Sequence, residues 1–304
     1  MVLDSDLRFV EQFSAAYGRF FKIKKVIAVK QTKYQKLELM ETFQYGKVLV
    51  LDGKPQIAEY GDYFYHEPLA QLPMLCNENP KKVLIIGGGD GGSPKEVLKH
   101  NVEKVKMVEI DGEVVSFAKE HLKFVCGNSY EDKRLDLHIG DGRKFVEDEL
   151  KKGNKYDVII CDLTDPFGPS KMLYTREFYK MVKMLLAKKG VFSLHCDFPL
   201  MYKDAFPTIV ATLKDVFPYI LFTNSYVPIY SDLLVFAVCS EHKIDEQKLT
   251  KTIKDNEEKF DLRILGSLSF GLPKYLRPFL SLGKVSTDKE PFEINQTSLG
   301  MNPY

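Results

Sequence analysis

The chain has 304 residues, 44% hydrophobic, 28% charged and 12% aromatic, with 43 Lys and Arg against 42 Asp and Glu for a net charge of +1. That composition excludes intrinsic disorder, and the length suits two domains or one large domain with an appendage. It supplies no global positive field to gather nucleic acid or an anionic membrane, so the charges that matter must be local.

In the first part of the chain apolar residues alternate. Lys25-Val26-Ile27-Ala28-Val29, Lys36-Leu37-Glu38-Leu39-Met40 and Lys47-Val48-Leu49-Val50-Leu51 read as strands of a small antiparallel β unit, with Asp52-Gly53 as a hairpin turn between two of them. Tyr60 to Leu75 reads as a bridging helix, ended by the breakers Asn77-Glu78-Asn79-Pro80. After Pro80 the pattern becomes strand, helix, strand, helix. Strands are expected at Val83 to Ile86, Val105 to Ile110, Leu135 to Ile139, Tyr156 to Cys161 and Val191 to Cys196. Helices are expected at Ser93 to His100, Gly112 to Phe124, near Arg143 to Lys151 and at Thr175 to Leu186. Such alternation implies a doubly wound α/β domain whose ligands bind at the carboxyl ends of the strands. The division expected is an N-terminal β domain with its bridging helix, 1–75, and a catalytic domain, 76–304.

No apolar run approaches the roughly 18 residues of a membrane span, and Asp4, Asp6, Arg8 and Glu11 do not suit a signal peptide. The five cysteines (Cys76, Cys126, Cys161, Cys196, Cys239) are widely spaced without a Cys-x-x-Cys pair. That pattern argues for a reduced cytoplasm, and no His/Cys/Asp cluster has the spacing of metal ligands.

Gly87-Gly88-Gly89-Asp90-Gly91-Gly92 follows a strand and opens a helix, and it contains the G-x-G-x-x-G spacing. Glycine-rich turns also serve plain strand-to-helix packing, but Glu109 ends the next strand about 20 residues on, where a carboxylate would hold ribose hydroxyls. The charge of Asp90 would repel a pyrophosphate and suit a sulfonium or an ammonium, which favours an S-adenosyl ligand over a dinucleotide. Gly140-Asp141-Gly142 puts another carboxylate at the same rim, able to accept from an adenine amino group or simply to cap a helix. In Asp162-Leu163-Thr164-Asp165-Pro166-Phe167-Gly168-Pro169, two carboxylates three apart form an acidic pocket that can hold a cationic amine and take its proton.

With Leu51-Asp52-Gly53…Gln56, Tyr65-His66-Glu67, Val108-Glu109-Ile110-Asp111 and Leu173-Tyr174-Thr175…Phe178-Tyr179, these motifs make a chain that resembles the polyamine aminopropyltransferases, spermidine synthase and its relatives, from about residue 30 to 240. The resemblance implies a small β domain before a Rossmann-like domain of the S-adenosylmethionine-dependent methyltransferase type. It implies aminopropyl transfer from decarboxylated S-adenosylmethionine, a co-substrate, to putrescine, agmatine or a triamine, with 5′-methylthioadenosine released and neither metal nor prosthetic group used. By the same resemblance Asp162 is the proton acceptor and Asp165 helps bind the acceptor amine. Gln35, Glu109, Asp141, Gly142 and Pro169 line the donor's nucleoside, Asp90 and His66 lie near the aminopropyl and polyamine groups, and Tyr65 and Tyr230 flank the acceptor channel. A homodimer or homotetramer is expected, with no nucleic acid or membrane partner.

Pro228-Ile229-Tyr230-Ser231-Asp232-Leu233 departs from the run usual in spermidine synthases, Leu163 stands where Ser is usual, and the tail Val285-Ser286-Thr287-Asp288…Pro291-Phe292 is more like the branch acting on agmatine or triamines. Together these suggest a channel tolerant of longer amines, with Asp232 as one of its charges or merely a solvated turn residue. The competing reading is an ordinary S-adenosylmethionine-dependent methyltransferase, whose cofactor would bring a carboxylate up against Asp90, Asp162 and Asp165. A third is a binding module that senses nucleosides or polyamines without turnover.

Overall fold

A computed structural model describes residues 7–13, 17–202 and 204–294. Five strands form an antiparallel meander: β1 (Arg8–Gln12), β2 (Gly18–Gln31), β3 (Lys36–Thr42), β4 (Lys47–Leu51) and β5 (Lys54–Ala58). β1 and β5 add to the three strands expected, and β2 is far longer than its apolar centre. Asp52-Gly53 turns β4 into β5 rather than joining two of the three expected strands, with both residues at positive φ. The connecting segment begins later than expected. It consists of a helical turn Tyr63–His66, a π-helical turn Glu67–Gln71 and a helix Leu72–Cys76.

The second sheet has seven strands: β6 (Lys82–Gly87), β7 (Lys104–Glu109), β8 (Leu135–Ile139), β9 (Tyr156–Asp162), β10 (Leu186–His195), β11 (Tyr219–Val227) and β12 (Asp232–Ser240), in the order β11-β12-β10-β9-β6-β7-β8. β6 to β10 are parallel, and β12 runs antiparallel to both β10 and β11. The chain steps outward from β6 to β7 and β8, then returns to lay β9 on the other side of β6. The crevice of such a sheet opens where the order reverses. Here that point brings Gly87 opposite Asp162. Val83, Leu84, Ile85 and Ile86 are all buried, as the unbroken apolar run requires of a strand covered on both faces.

The small sheet is not an independent body. One of its faces contributes Met40, Val48 and Val50 to the core that holds Leu69, Leu72, Val83 and Ile85, while Leu37, Leu39, Leu49 and Ile57 pack on Val114, Phe117 and Leu122. A buried hydrogen bond of 2.6 Å from Thr32 to Asp111, the N-cap of helix Gly112–His121, fastens the β2–β3 turn over the rim of the large sheet. All five cysteines are free, and four are buried. Among the described residues no helix is long and apolar enough to cross a membrane.

Gly87 (φ +86°) is the tightest point of the switch: a Cβ there would lie 2.0 Å from the Asp162 carbonyl oxygen. Gly87→Ala adds a left-handed strain to this backbone clash. We expect it to destabilise the fold by about 2 kcal/mol or more, measured by urea denaturation, with loss of nucleoside binding.

Candidate functional site

A cavity of about 680 Å³ lies over the carboxyl ends of β6, β7 and β9, and the small sheet roofs it. Of the residues singled out in the sequence, Gln35, Tyr65, Asp90, Glu109, Asp141, Gly142, Asp162, Asp165, Pro169 and Tyr230 line it. His66 does not. It is fully buried behind the glycine loop, where Gly92 is needed because a Cβ would come 2.1 Å from His66 Nε2.

The glycines let the loop fold back on itself so that Asp90 faces the cavity. Asp90 Oδ1 accepts from Gly92 N–H at 2.8 Å and stands 3.7 Å from His66 Nε2, an ion pair too long for a hydrogen bond. Burial alone would depress His66, but Asp90, Asp162 and Asp62 overcome it and raise the imidazole to about 8. Burial likewise works against the Asp90 anion, yet His66, the Gly92 N–H and Lys95 hold its carboxyl below the usual range. His66 therefore acts from behind, keeping Asp90 charged. Metal-ligand spacing was not visible in the sequence, but the fold gathers one donor atom each of His66, Asp90 and Asp162 within 4.8 Å of one another.

Asp162 closes β9. Its Oδ1 accepts from Tyr65 O–H at 2.8 Å, and its Oδ2 is buried with no partner among the described residues. Burial and then the Asp90 charge push the Asp162 carboxyl upward, against the pull of His66 and Tyr65. Such a carboxylate is a base waiting for a cationic acid. Burial also raises Asp165, with His195 and Lys54 opposing. The intervening backbone is fixed by His195, whose Nε2–H donates to the Leu163 carbonyl at 2.8 Å, and by Tyr174, whose hydroxyl donates to Thr164 O at 3.0 Å.

At the nucleoside end, Glu109 Oε1 accepts from Asp111 N–H at 2.9 Å and Gln35 Nε2 donates to Asp111 at 3.3 Å. Burial raises Glu109 to about 7, with the Asp111 N–H opposing and the Asp111 and Asp162 charges adding. Asp141 caps helix Gly142–Lys151 through Lys144 N–H at 2.9 Å and also lines the cavity. Tyr230 donates to the Gln56 carbonyl and meets Tyr65 edge to face with ring centres 6.4 Å apart.

Sequence reasoning missed the far wall. Glu11, Phe13, Arg19 and Lys54 of the small sheet reach into the cavity, as do Phe198, Met201, Tyr202 and Ile294. The C-terminal segment is strapped to the loop carrying Asp165: Ile294 N–H donates to Pro166 O at 3.0 Å, and Glu293 receives Gly168 N–H at 3.0 Å and Lys171 Nζ at 2.7 Å. Asp232 is absent from the lining; its Oδ1 accepts from Leu233 N–H at 2.7 Å at the start of β12. It opens β12 outside the cavity lining, half-buried, where burial raises its carboxyl and the Arg19 charge opposes that rise.

The strand order and the carboxylate-rich switch point define a methyltransferase-like fold whose pocket is built for a nucleoside carrying positive charge. Residues 62–249 match the model of the spermine/spermidine synthase domain, and residues 9–59 that of the spermidine synthase tetramerisation domain. The chain is 36% identical over 305 residues to the polyamine aminopropyltransferase of Korarchaeum cryptofilum, covering 97% of this chain and 94% of that one. It is 33% identical over 273 residues to that of Bacillus mycoides, covering 89% and 98%. Among solved structures, a spermidine synthase in complex with the transition state analogue AdoDATO superposes with a TM-score of 0.81 at 33% identity, covering 91% of this chain and 96% of that one. The spermidine synthase of Thermotoga maritima gives 0.78 at 32%, covering 91% and 95%. This chain belongs to the spermine/spermidine synthase family.

The role expected of Glu109, accepting a nucleoside's ribose hydroxyls, requires its ionised form. Ligand affinity should therefore rise as pH climbs through the raised value of the free carboxyl. For the uncharged nucleoside 5′-methylthioadenosine, Kd measured by calorimetry should fall roughly tenfold between about pH 6 and pH 8. Glu109→Gln should bind more weakly with a flat profile; a flat profile in the unmodified protein would remove Glu109 from ribose recognition.

Proposed function

We propose that the chain transfers the aminopropyl group of decarboxylated S-adenosylmethionine to an amine, with Asp162 as proton acceptor and the products 5′-methylthioadenosine and a longer polyamine. It is an enzyme of polyamine biosynthesis of the aminopropyltransferase type. The observation that carries the mechanism is Asp162, which lines the cavity with Asp90 and Glu109 and whose buried Oδ2 has no partner among the described residues.

Glu109 and Gln35 hold the donor's ribose, with Asp141, Gly142 and Pro169 around its base, and Asp90 receives the donor's ammonium. An alkylamine arrives protonated at neutral pH. Its ammonium binds Asp162, with Asp165 assisting and Tyr65 and Tyr230 walling its methylenes, and gives a proton to Oδ2. The freed nitrogen lone pair attacks the carbon beside the sulfonium. The C–N bond forms as the C–S bond breaks, and the pair returns to sulfur as a neutral thioether. Positioning supplies most of the acceleration, since the leaving group is already activated. The division of labour proposed is a roofing β unit, 1–75, over a catalytic unit, 76–304.

The match over residues 9–59 supports a homo-oligomer, dimer or tetramer. Val10 and Phe20 pair across β1 and β2 yet stand 64% and 59% exposed, a ready contact face. Five free cysteines fit the reducing cytoplasm.

Incubation with decarboxylated S-adenosylmethionine and putrescine, agmatine or a triamine, followed by mass spectrometry, should yield the aminopropylated amine. S-adenosylmethionine, whose carboxylate would face Asp90, should bind much more weakly; equal affinities, or methylated products, would establish the methyltransferase reading instead. Asp162→Asn should keep 5′-methylthioadenosine binding but lower kcat by about 10²-fold or more.

A further inference from the structure

The far wall of the cavity carries more positive than negative charge. Glu11 is 5% exposed, and its Oε2 accepts from Arg19 Nε at 2.7 Å. Lys54 Nζ lies 4.0 Å from Glu11 Oε1. Both cations also cover the Phe13 ring, the guanidinium carbon at 5.4 Å and the ammonium at 5.2 Å from its centre. Two cations thus share one carboxylate within 4.0 Å, with the Asp232 charge reaching Arg19 from farther off, and Arg19 Nη1 is buried with no partner among the described residues. The same cavity continues past Tyr202, Phe198 and Met201 to Asp165 and Asp162. The charges at the two ends are within range of each other: Lys54 holds Asp165 down against burial, and Asp165 adds to the burial that raises Glu11.

An extended amine places successive ammonium groups along such a cavity, each needing a carboxylate or a carbonyl. Asp162 and Asp165 serve a diamine. A third ammonium, carried farther from the reacting end, would meet the Arg19–Glu11–Lys54 group, whose one carboxylate is already engaged. Like charges in a water-poor cavity repel strongly, and the bare Arg19 N–H makes the spot poorer still for a cation. We propose that Arg19 and Lys54 form a built-in cationic stop that selects acceptors with two amino groups over acceptors with three. This rests on the aminopropyl-transfer reading and deepens it. It also replaces the longer-amine channel suggested by the Tyr230 loop, because Asp232 lies outside the cavity.

The test compares kcat/KM for putrescine with that for the triamine spermidine in each enzyme, with decarboxylated S-adenosylmethionine saturating. The unmodified protein should favour the diamine by about tenfold or more. Lys54→Met should move the ratio toward the triamine by about tenfold, and Lys54→Glu further, while Lys54→Arg restores the original ratio. Melting temperature and 5′-methylthioadenosine affinity, measured on each variant, separate a selectivity change from misfolding. Should Lys54→Met fail to fold, Lys54→Gln, which removes the charge but keeps a polar side chain, carries the same expectation. An unmodified protein that uses both amines equally, or variants whose ratio stays within about threefold, would overturn the stop. Absence of transfer to any amine would overturn the proposed function itself.

Discussion

Crowding of carboxylates where water is scarce governs this molecule. Asp90, Glu109, Asp162 and Asp165 all face one cavity, and like charges there raise one another's proton affinity unless a cation intervenes. Among the described residues His66 serves in this way behind Asp90, while at Asp165 the nearby His195 and Lys54 oppose burial without overcoming it. The others are left short of positive charge, and the reactants bring it as sulfonium and ammonium. In the proposed reaction substrate binding and charge neutralisation are the same event, and a proton passed to Asp162 would enter a carboxyl that burial already favours in its neutral form.

The fold delivers these groups by a topological reversal. The β6 turn and the end of β9 come side by side because the chain, having built β7 and β8 on one flank, restarts on the other. The glycines are required by that closeness: the β9 carbonyl occupies the space a Gly87 side chain would need. The donor end also depends on the small sheet, since Thr32 and Gln35 both bond Asp111 across the junction.

What was legible in the sequence was local. The Gly87–Gly92 run, Glu109 at a strand end and the Asp162–Asp165 pair each announce themselves within a few residues, and all face the cavity. Strand boundaries slipped where propensity is neutral. The polar residues of β1 and the outer thirds of β2 pair in the ladder although nothing in their own pattern demands it. The π-helical turn at Glu67–Gln71 was invisible, because it is stabilised by tertiary bonds, among them three backbone N–H groups of residues 263–265 donating to Glu67. The far wall was unreadable for the same reason. Glu11 and Arg19 face each other across the β1–β2 ladder, and Lys54, on β5, joins them only once the five strands are assembled. His66 was found by its motif, and only the fold shows that it stands behind Asp90, off the cavity wall.

Glu293 and Ile294 are fastened to the loop that follows Asp165, more than a hundred residues earlier in the chain. Ile294 is at once a strap and a piece of the cavity wall. Recombination between homologues would feel this directly. A chimera joined anywhere between the loop and the strap pairs one parent's catalytic loop with the other's fastening, and inherits an acceptor pocket assembled from both. Crossovers upstream of Asp162 keep loop and strap together, yet those that fall after β5 part them from Arg19 and Lys54 of the small sheet, so a chimera's acceptor preference should report on both halves.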